Sequence, residues 1–231
     1  MVMEKELEKL ENLQRKILCS LMEVPKTTPY WGLLHETGQW SIKWRLVYRK
    51  LMLYHNIMTS EDDRLVKGVI EQQKGKKGSF YEDVQVLGEE LNLKDIHEME
   101  KAELKTAIKN EVKKRMKKEI EVAAEGSTKL RFIRTTEFQQ ASYFQHYSSE
   151  DAKLILKMRL NMVDVYGNFK GDITKKRLCS HCKEHLVTTG HLVQCHKVSG
   201  AVVEGESVLR DPDSKEWKEV LKIVRTNFDS R

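Results

Sequence analysis

Proline is scarce in this sequence, with three in 231 residues, and glycine stops at twelve. A sandwich or barrel built on many tight turns needs more of both, so the scarcity argues for long, unbroken helices. No apolar run is long enough to span a bilayer, and no signal-peptide pattern opens the chain. A soluble, intracellular protein of the nucleus or cytoplasm, with no membrane partner, is the expectation. Cysteine is also rare, at four, which fits no disulfide scaffold and suits a compartment that keeps thiols reduced. Cys19 stands alone beside Leu18 in an apolar helical stretch and reads as a small core residue. Catalytic signatures are missing: there is no Gly-rich phosphate loop, no Gly-x-Ser-x-Gly, no His-Glu-x-x-His and no endonuclease-like set of carboxylates and histidine. The sole Asp-Asp, Asp62-Asp63, follows Thr-Ser-Glu, which reads as a helix cap rather than part of a two-metal centre. The chain is therefore not expected to be an enzyme by itself.

What the sequence does have is charge and helical period. Charged residues make up 33% and apolar ones 39%, with a formal net charge of +6. A basic excess of this kind points to an acidic partner, nucleic acid first. Leu7, Leu10, Ile17 and Leu21 trace one helical stripe that ends at Pro25 and Pro29. A short helix from Pro29, capped by Thr28, should stop near Gly38. The stretch 41–58 carries Ile42, Leu46, Leu53 and Ile57. Ser60 with Asp63 and Ser79 with Glu82 resemble capping boxes opening two more helices, with the basic loop 74–78 between them.

The longest helix is expected over 96–124, with Asp95 as cap and Gly126 as stop. Leu104, Ile108, Val112, Met116 and Ile120 recur at every fourth position, and so do Lys101, Lys105, Lys109, Lys113 and Lys117. A fourfold step drifts about 40° per repeat on a helix of 3.6 residues per turn, so an apolar seam and a ridge of ammonium groups spiral together. Phe138, Tyr143, Phe144 and Tyr147 then precede a helix capped near Ser149, with Ala152, Ile155, Met158 and Met162. Aromatics at such spacing read as core rather than as stacking platforms for bases. A last amphipathic helix carries Trp217, Leu221, Val224 and Phe228, with Asp213 as cap. The reading is an all-α chain: a helical bundle over 1–94, a long basic helix and helical linker over 95–165, and a zinc knuckle with a C-terminal helix over 166–231. Short strands are expected only at 175–178 or 201–203.

The knuckle is Cys179-Ser-His-Cys182, continuing to His191 and Cys195, a C-x2-C-x8-H-x3-C pattern. Two cysteines two residues apart can turn both thiolates toward one ion, and residues four apart share a helix face. Cys179, Cys182, His191 and Cys195 would close a tetrahedral shell around one Zn2+, leaving no position for water, so the role would be structural. His196 competes with Cys195 for the fourth place, whereas His181 and His185 are poorly placed. Beside this site lie Lys170 and the run Lys175-Lys176-Arg177. With Lys109, Lys113 and Lys117 on the long helix, these are the candidate contacts to the phosphates of RNA or single-stranded DNA.

"Leu-Gln-Arg-Lys-Ile-Leu" (13–18), "Val-Pro-Lys-Thr-Thr-Pro" (24–29), "Leu-His-Glu-Thr-Gly" (34–38), "Tyr-Arg-Lys-Leu-Met-Leu-Tyr-His" (48–55) and the closing Cys/His cluster together resemble the region after the polymerase in non-LTR retrotransposon reverse transcriptases. The resemblance covers nearly the whole chain, and its sharpest part is the knuckle. It implies a non-catalytic module that helps hold template RNA and target DNA for target-primed reverse transcription, with the polymerase domain of a parent protein as a further partner. On this reading the chain is either a fragment of such a protein or a short product left from one. A helical, zinc-stapled interaction module whose basic surface is incidental is the alternative, and salt-dependent affinity for RNA separates the two.

Overall fold

The computed structural model describes residues 4–61, 65–133, 138–163, 165, 178–195 and 207–228, and among these it is helical throughout, with eleven helices and no strand. The chain divides into two compact units. Met1–Arg15 and Trp40–Lys118 form the first; Lys16–Gln39 and Glu119–Arg231 form the second. Asp63 of the expected capping pair and the strand expected at 201–203 fall outside the described residues, as do Lys170, the basic run 175–177 and His196, while the Ser60 hydroxyl donates to the carbonyl of Ile57 at 2.6 Å.

In the first unit, α3 (Ile42–Met58) packs against α4 (Leu65–Glu71) and α5 (Phe80–Glu90), and α4 packs against α5. Trp44, Leu51 and Tyr54 of α3 are buried with Val84 of α5. The Ser79 box forms as expected: its hydroxyl accepts the amide of Glu82 at 3.1 Å, while the Glu82 carboxylate reaches back to the amide of Gly78. The long helix α6 (Lys101–Glu125) starts later than its apolar period implied. Asp95 takes a left-handed conformation, φ 49°, which an extended N-cap residue does not have, and the chain from 95 to 99 closes into a turn instead. The Glu100 carboxylate accepts the amide of Glu103 at the true start. The expected seam is present: Leu104, Ile108, Val112, Met116 and Ile120 are all buried. Arg115 of α6 donates to the carbonyl of Glu90.

The stripe on α1 (Glu4–Leu21) behaves differently from its pattern. Leu10, Ile17 and Leu21 are 41%, 50% and 61% exposed, and Leu18 and Cys19 are buried instead. The reason is the turn that follows. Glu23 adopts φ 52°, Val24 donates to the carbonyl of Cys19, and the returning chain covers the Leu18/Cys19 side rather than the stripe.

The second unit holds α2 (Tyr30–Thr37), α7 (Tyr143–His146), α8 (Ser149–Arg159), α9 (Thr189–Gln194), α10 (Ser207–Arg210) and α11 (Trp217–Phe228). The start of α2 lacks its expected cap, because the Thr28 hydroxyl donates to the carbonyl of Pro25. Its end at Gly38 is as the sequence implies, with φ 63°. Ser148, one residue before the expected cap, accepts the amide of Asp151 for α8. Near α11 it is Ser214, not Asp213, that accepts an amide, that of Glu216. Of the aromatic cluster expected in the core, Phe138 and Tyr143 are buried, while Phe144 and Tyr147 are half-buried.

At the centre of this unit is a buried ion pair. Glu36 and Arg159 are both 0% exposed. The guanidinium donates to both carboxylate oxygens, at 2.8 and 3.0 Å, and to the carbonyl of Leu209 at 2.7 Å. The Tyr143 hydroxyl adds a donor at 2.6 Å and the His35 ring lies at 2.9 Å. Burial opposes the charge on Glu36, yet the Arg159 cation and the His35 bond hold its carboxyl well below the usual carboxylate range. One network thus joins α2, α7 and α8 to the end of α10.

Candidate metal centre

Two local structures carry the four candidate ligands. From Leu178 the chain enters the CxxC turn, and the amide of Lys183 returns to the carbonyl of Cys179 at 2.9 Å. Lys183 sits at φ 58°, which reverses the direction. The amide of Cys179 then takes the carbonyl of His185 at 2.8 Å, and Leu178 pairs with Leu186 in one isolated antiparallel bridge. Of the strand expected at 175–178 only Leu178 lies among the described residues, and it is the residue that pairs. Val187 is buried, and Thr188 caps α9 by accepting the amide of His191 at 3.0 Å. That cap sets the first turn of α9, which carries His191, and Cys195 stands at its C-terminal end. Leu192 and Val193 bury the other side of the same helix, and α9 packs against α11, which packs against α8.

The donor atoms of Cys179, Cys182, His191 and Cys195 all lie within 4.8 Å of one another. Cys179 Sγ to Cys195 Sγ is 3.7 Å, and Cys182 Sγ to the Nε2 atom of His191 is 3.5 Å. A tetrahedral ion bound at ordinary zinc–sulfur and zinc–nitrogen lengths requires edges of about 3.8 Å for S–S and about 3.5 Å for S–N. Both observed edges agree with it, and the 3.7 Å between Cys179 Sγ and Cys195 Sγ is not that of a disulfide, whose sulfurs would be about 2 Å apart. The three cysteines are buried. Burial raises the Cys182 thiol, but the backbone amides of Glu184 and His185, with bonds from the His185 ring and Cys179, bring it down to about 5. A thiolate is the form that binds metal.

His181 does not join the cluster. His185 comes closer than its position in sequence suggested: its Nδ1 is 3.9 Å from Cys182 Sγ, and its ring stacks on that of His191 with centroids 5.4 Å apart. It contributes a wall that fixes the His191 ring, a role that spacing does not reveal because it arises from the reversal at Lys183.

On α6, in the other unit, Lys101, Lys105, Lys109 and Lys113 are exposed and Lys117 is half-buried. Residues 101–118 contain eight Lys or Arg and two Glu, a local excess as large as the net +6 of the entire chain. Glu111 of the same helix pairs with Lys114 at 2.5 Å. Among the described residues no helix is long and apolar enough to cross a membrane. Neither a family model nor a curated protein nor a solved structure matches the chain.

Proposed function

We propose that the chain is a non-catalytic nucleic-acid-binding module stapled by one structural Zn2+, of the kind that follows the polymerase in non-LTR retrotransposon proteins. The observation that carries the reading is the tetrad of Cys179, Cys182, His191 and Cys195, with edges of 3.7 and 3.5 Å. Three thiolates and one imidazole favour zinc over harder cations, and four protein ligands leave the ion no catalytic position. The ion fixes a segment that otherwise has one β-bridge and one short helix to define it.

The nucleic-acid part rests on charge. Lys109, Lys113 and Lys117 lie one turn apart on α6, about 6 Å per step, close to the phosphate spacing of an extended strand. Lys170, Lys175, Lys176 and Arg177 precede the first zinc ligand in sequence and form the second candidate cluster. Such groups neutralise phosphates without reading base edges, so binding should be indifferent to sequence and steeply dependent on salt.

Filter binding of a mixed-sequence RNA and of single-stranded DNA at two salt concentrations tests this. Reversal of Lys109, Lys113 and Lys117 to Glu, and separately of Lys175, Lys176 and Arg177, should weaken binding to all sequences alike, by about 1 kcal/mol per lost contact, and flatten the salt slope. Failure of the unaltered protein to bind at low salt would overturn the reading in favour of an interaction module.

A further inference from the structure

A second surface lies in the first unit. Leu46 and Leu53 on α3 face Phe80 and Leu87 on α5 across an open groove of about 470 Å³, with Val47 and Leu7 completing its apolar lining. Each facing pair is separated by seven residues, two helical turns or about 10.5 Å, so the groove presents two parallel rows of equal pitch. Leu53 is 51% exposed, and Leu46, Phe80 and Leu87 are half-buried. The remaining described lining residues are Lys43, Arg49 and Lys50, none of them acidic, and the Glu11 carboxylate accepts the amide of Lys43 at 3.4 Å. Lys50 is held by Asp83 at 2.8 Å, Lys43 stands 4.5 Å over the Trp44 ring, and Arg49 is exposed.

We propose that this groove takes an amphipathic helix with acidic flanks, contributed by another protein. Its apolar ridge lies between the two rows, and its carboxylates meet Lys43 and Arg49. Rows of two-turn pitch on adjacent helices match the i, i+3/i+4, i+7 anchors of a third helix. A fatty acid would satisfy the apolar lining, but its single carboxylate cannot serve cations six positions apart on one helix, about 9 Å along the axis. A nucleic acid strand would need faces to stack on, and among the described lining residues Phe80 alone is aromatic. The surface is separate from the lysine ridge of α6 and does not depend on RNA binding.

Fluorescence anisotropy of the full chain with a labelled synthetic helix tests the proposal. The probe is a peptide of five turns, about 18 residues, with Leu along one stripe and Glu flanking it. Two controls accompany it: a Lys-for-Glu counterpart, and a scramble of the same composition with no stripe. The Glu helix should bind saturably and in preference to both. Leu53→Glu should weaken it about tenfold, the effect of losing one buried anchor. The double change Lys43→Glu with Arg49→Glu should invert the preference toward the Lys helix. Both variants alter exposed or rim positions, and an unchanged helical circular dichroism spectrum verifies their folding; if Leu53→Glu fails that check, the double change alone decides. Equal binding of the scramble, absence of saturable binding, a preference unmoved by the double change, or displacement of the peptide by one equivalent of oleate would each overturn the proposal.

Discussion

A carboxylate with no exposure stays ionised only if neighbouring groups replace the water it has lost, and Glu36 has Arg159, Tyr143 and His35 around it. Removing one member of such a pair leaves the other charged and buried. Glu36→Gln should therefore destabilise the second unit by about 3–5 kcal/mol, measured by urea denaturation. The same pair sets a pH dependence. The folded carboxyl is depressed below its unfolded value of 4.5, so its stabilisation is complete above that value and declines as pH falls through and below it. The melting temperature of the unaltered protein should drop on acidification below about pH 5, and Glu36→Gln should show a shallower drop over the same range. An equal drop in both would contradict the assignment. Sequence did not disclose this network, since Glu36 and Arg159 stand 123 positions apart and neither has a local pattern. The four candidate ligands, Cys179, Cys182, His191 and Cys195, were readable as a cluster because turn and helix geometry bring them together within one short segment.

Helices were legible wherever apolar residues repeat over several turns, and their ends were legible where a capping box or a glycine marks them, as at Ser79 and Gly38, but not elsewhere. The buried seam of α6 follows its fourfold period, but its first residue is decided by the left-handed turn at Asp95, which no periodicity encodes. The stripe of α1 shows the converse: its period is helical, yet a turn at Glu23 determines which side is covered. The C-terminus of α2 offers a direct check on such end effects. Gly38 sits at φ 63°, and an added Cβ would lie 2.5 Å from the backbone nitrogen of Gln140. Gly78 has φ 70° with nothing within 4 Å. Gly38→Ala should cost clearly more than the roughly 1 kcal/mol of left-handed strain that Gly78→Ala incurs, as read from urea midpoints. The two variants being equal would show that the backbone at 140 yields without penalty. A further expectation concerns α9 and α11. Because they pack together and Trp217 is buried at the start of α11, a chelator should shift tryptophan fluorescence while leaving most far-ultraviolet helicity in place. Collapse of the helical signal would mean that the second unit depends on the ion for its core.

Across the whole molecule the positive charge is unevenly placed: the local excess of residues 101–118 equals the net charge of the chain. This is why a modest overall +6 can still support binding to a polyanion, and why reversing three lysines of α6 should remove a large part of the salt dependence. Few prolines and glycines, together with a repeated helical period, made the all-α class legible. The assignment of segments to two units was not, because it depends on long-range packing among helices of similar composition. The proposed structural role of the Cys/His cluster rests on one ion in one shell. X-ray absorption spectroscopy of the reduced, full chain, with metal quantified on the same sample, tests that most directly. The account predicts one zinc per chain, with three sulfurs at about 2.3 Å and one imidazole nitrogen at about 2.0 Å, and loss of the ion on Cys182→Ser. A metal-free protein, or a shell of two sulfurs and two nitrogens, would contradict it.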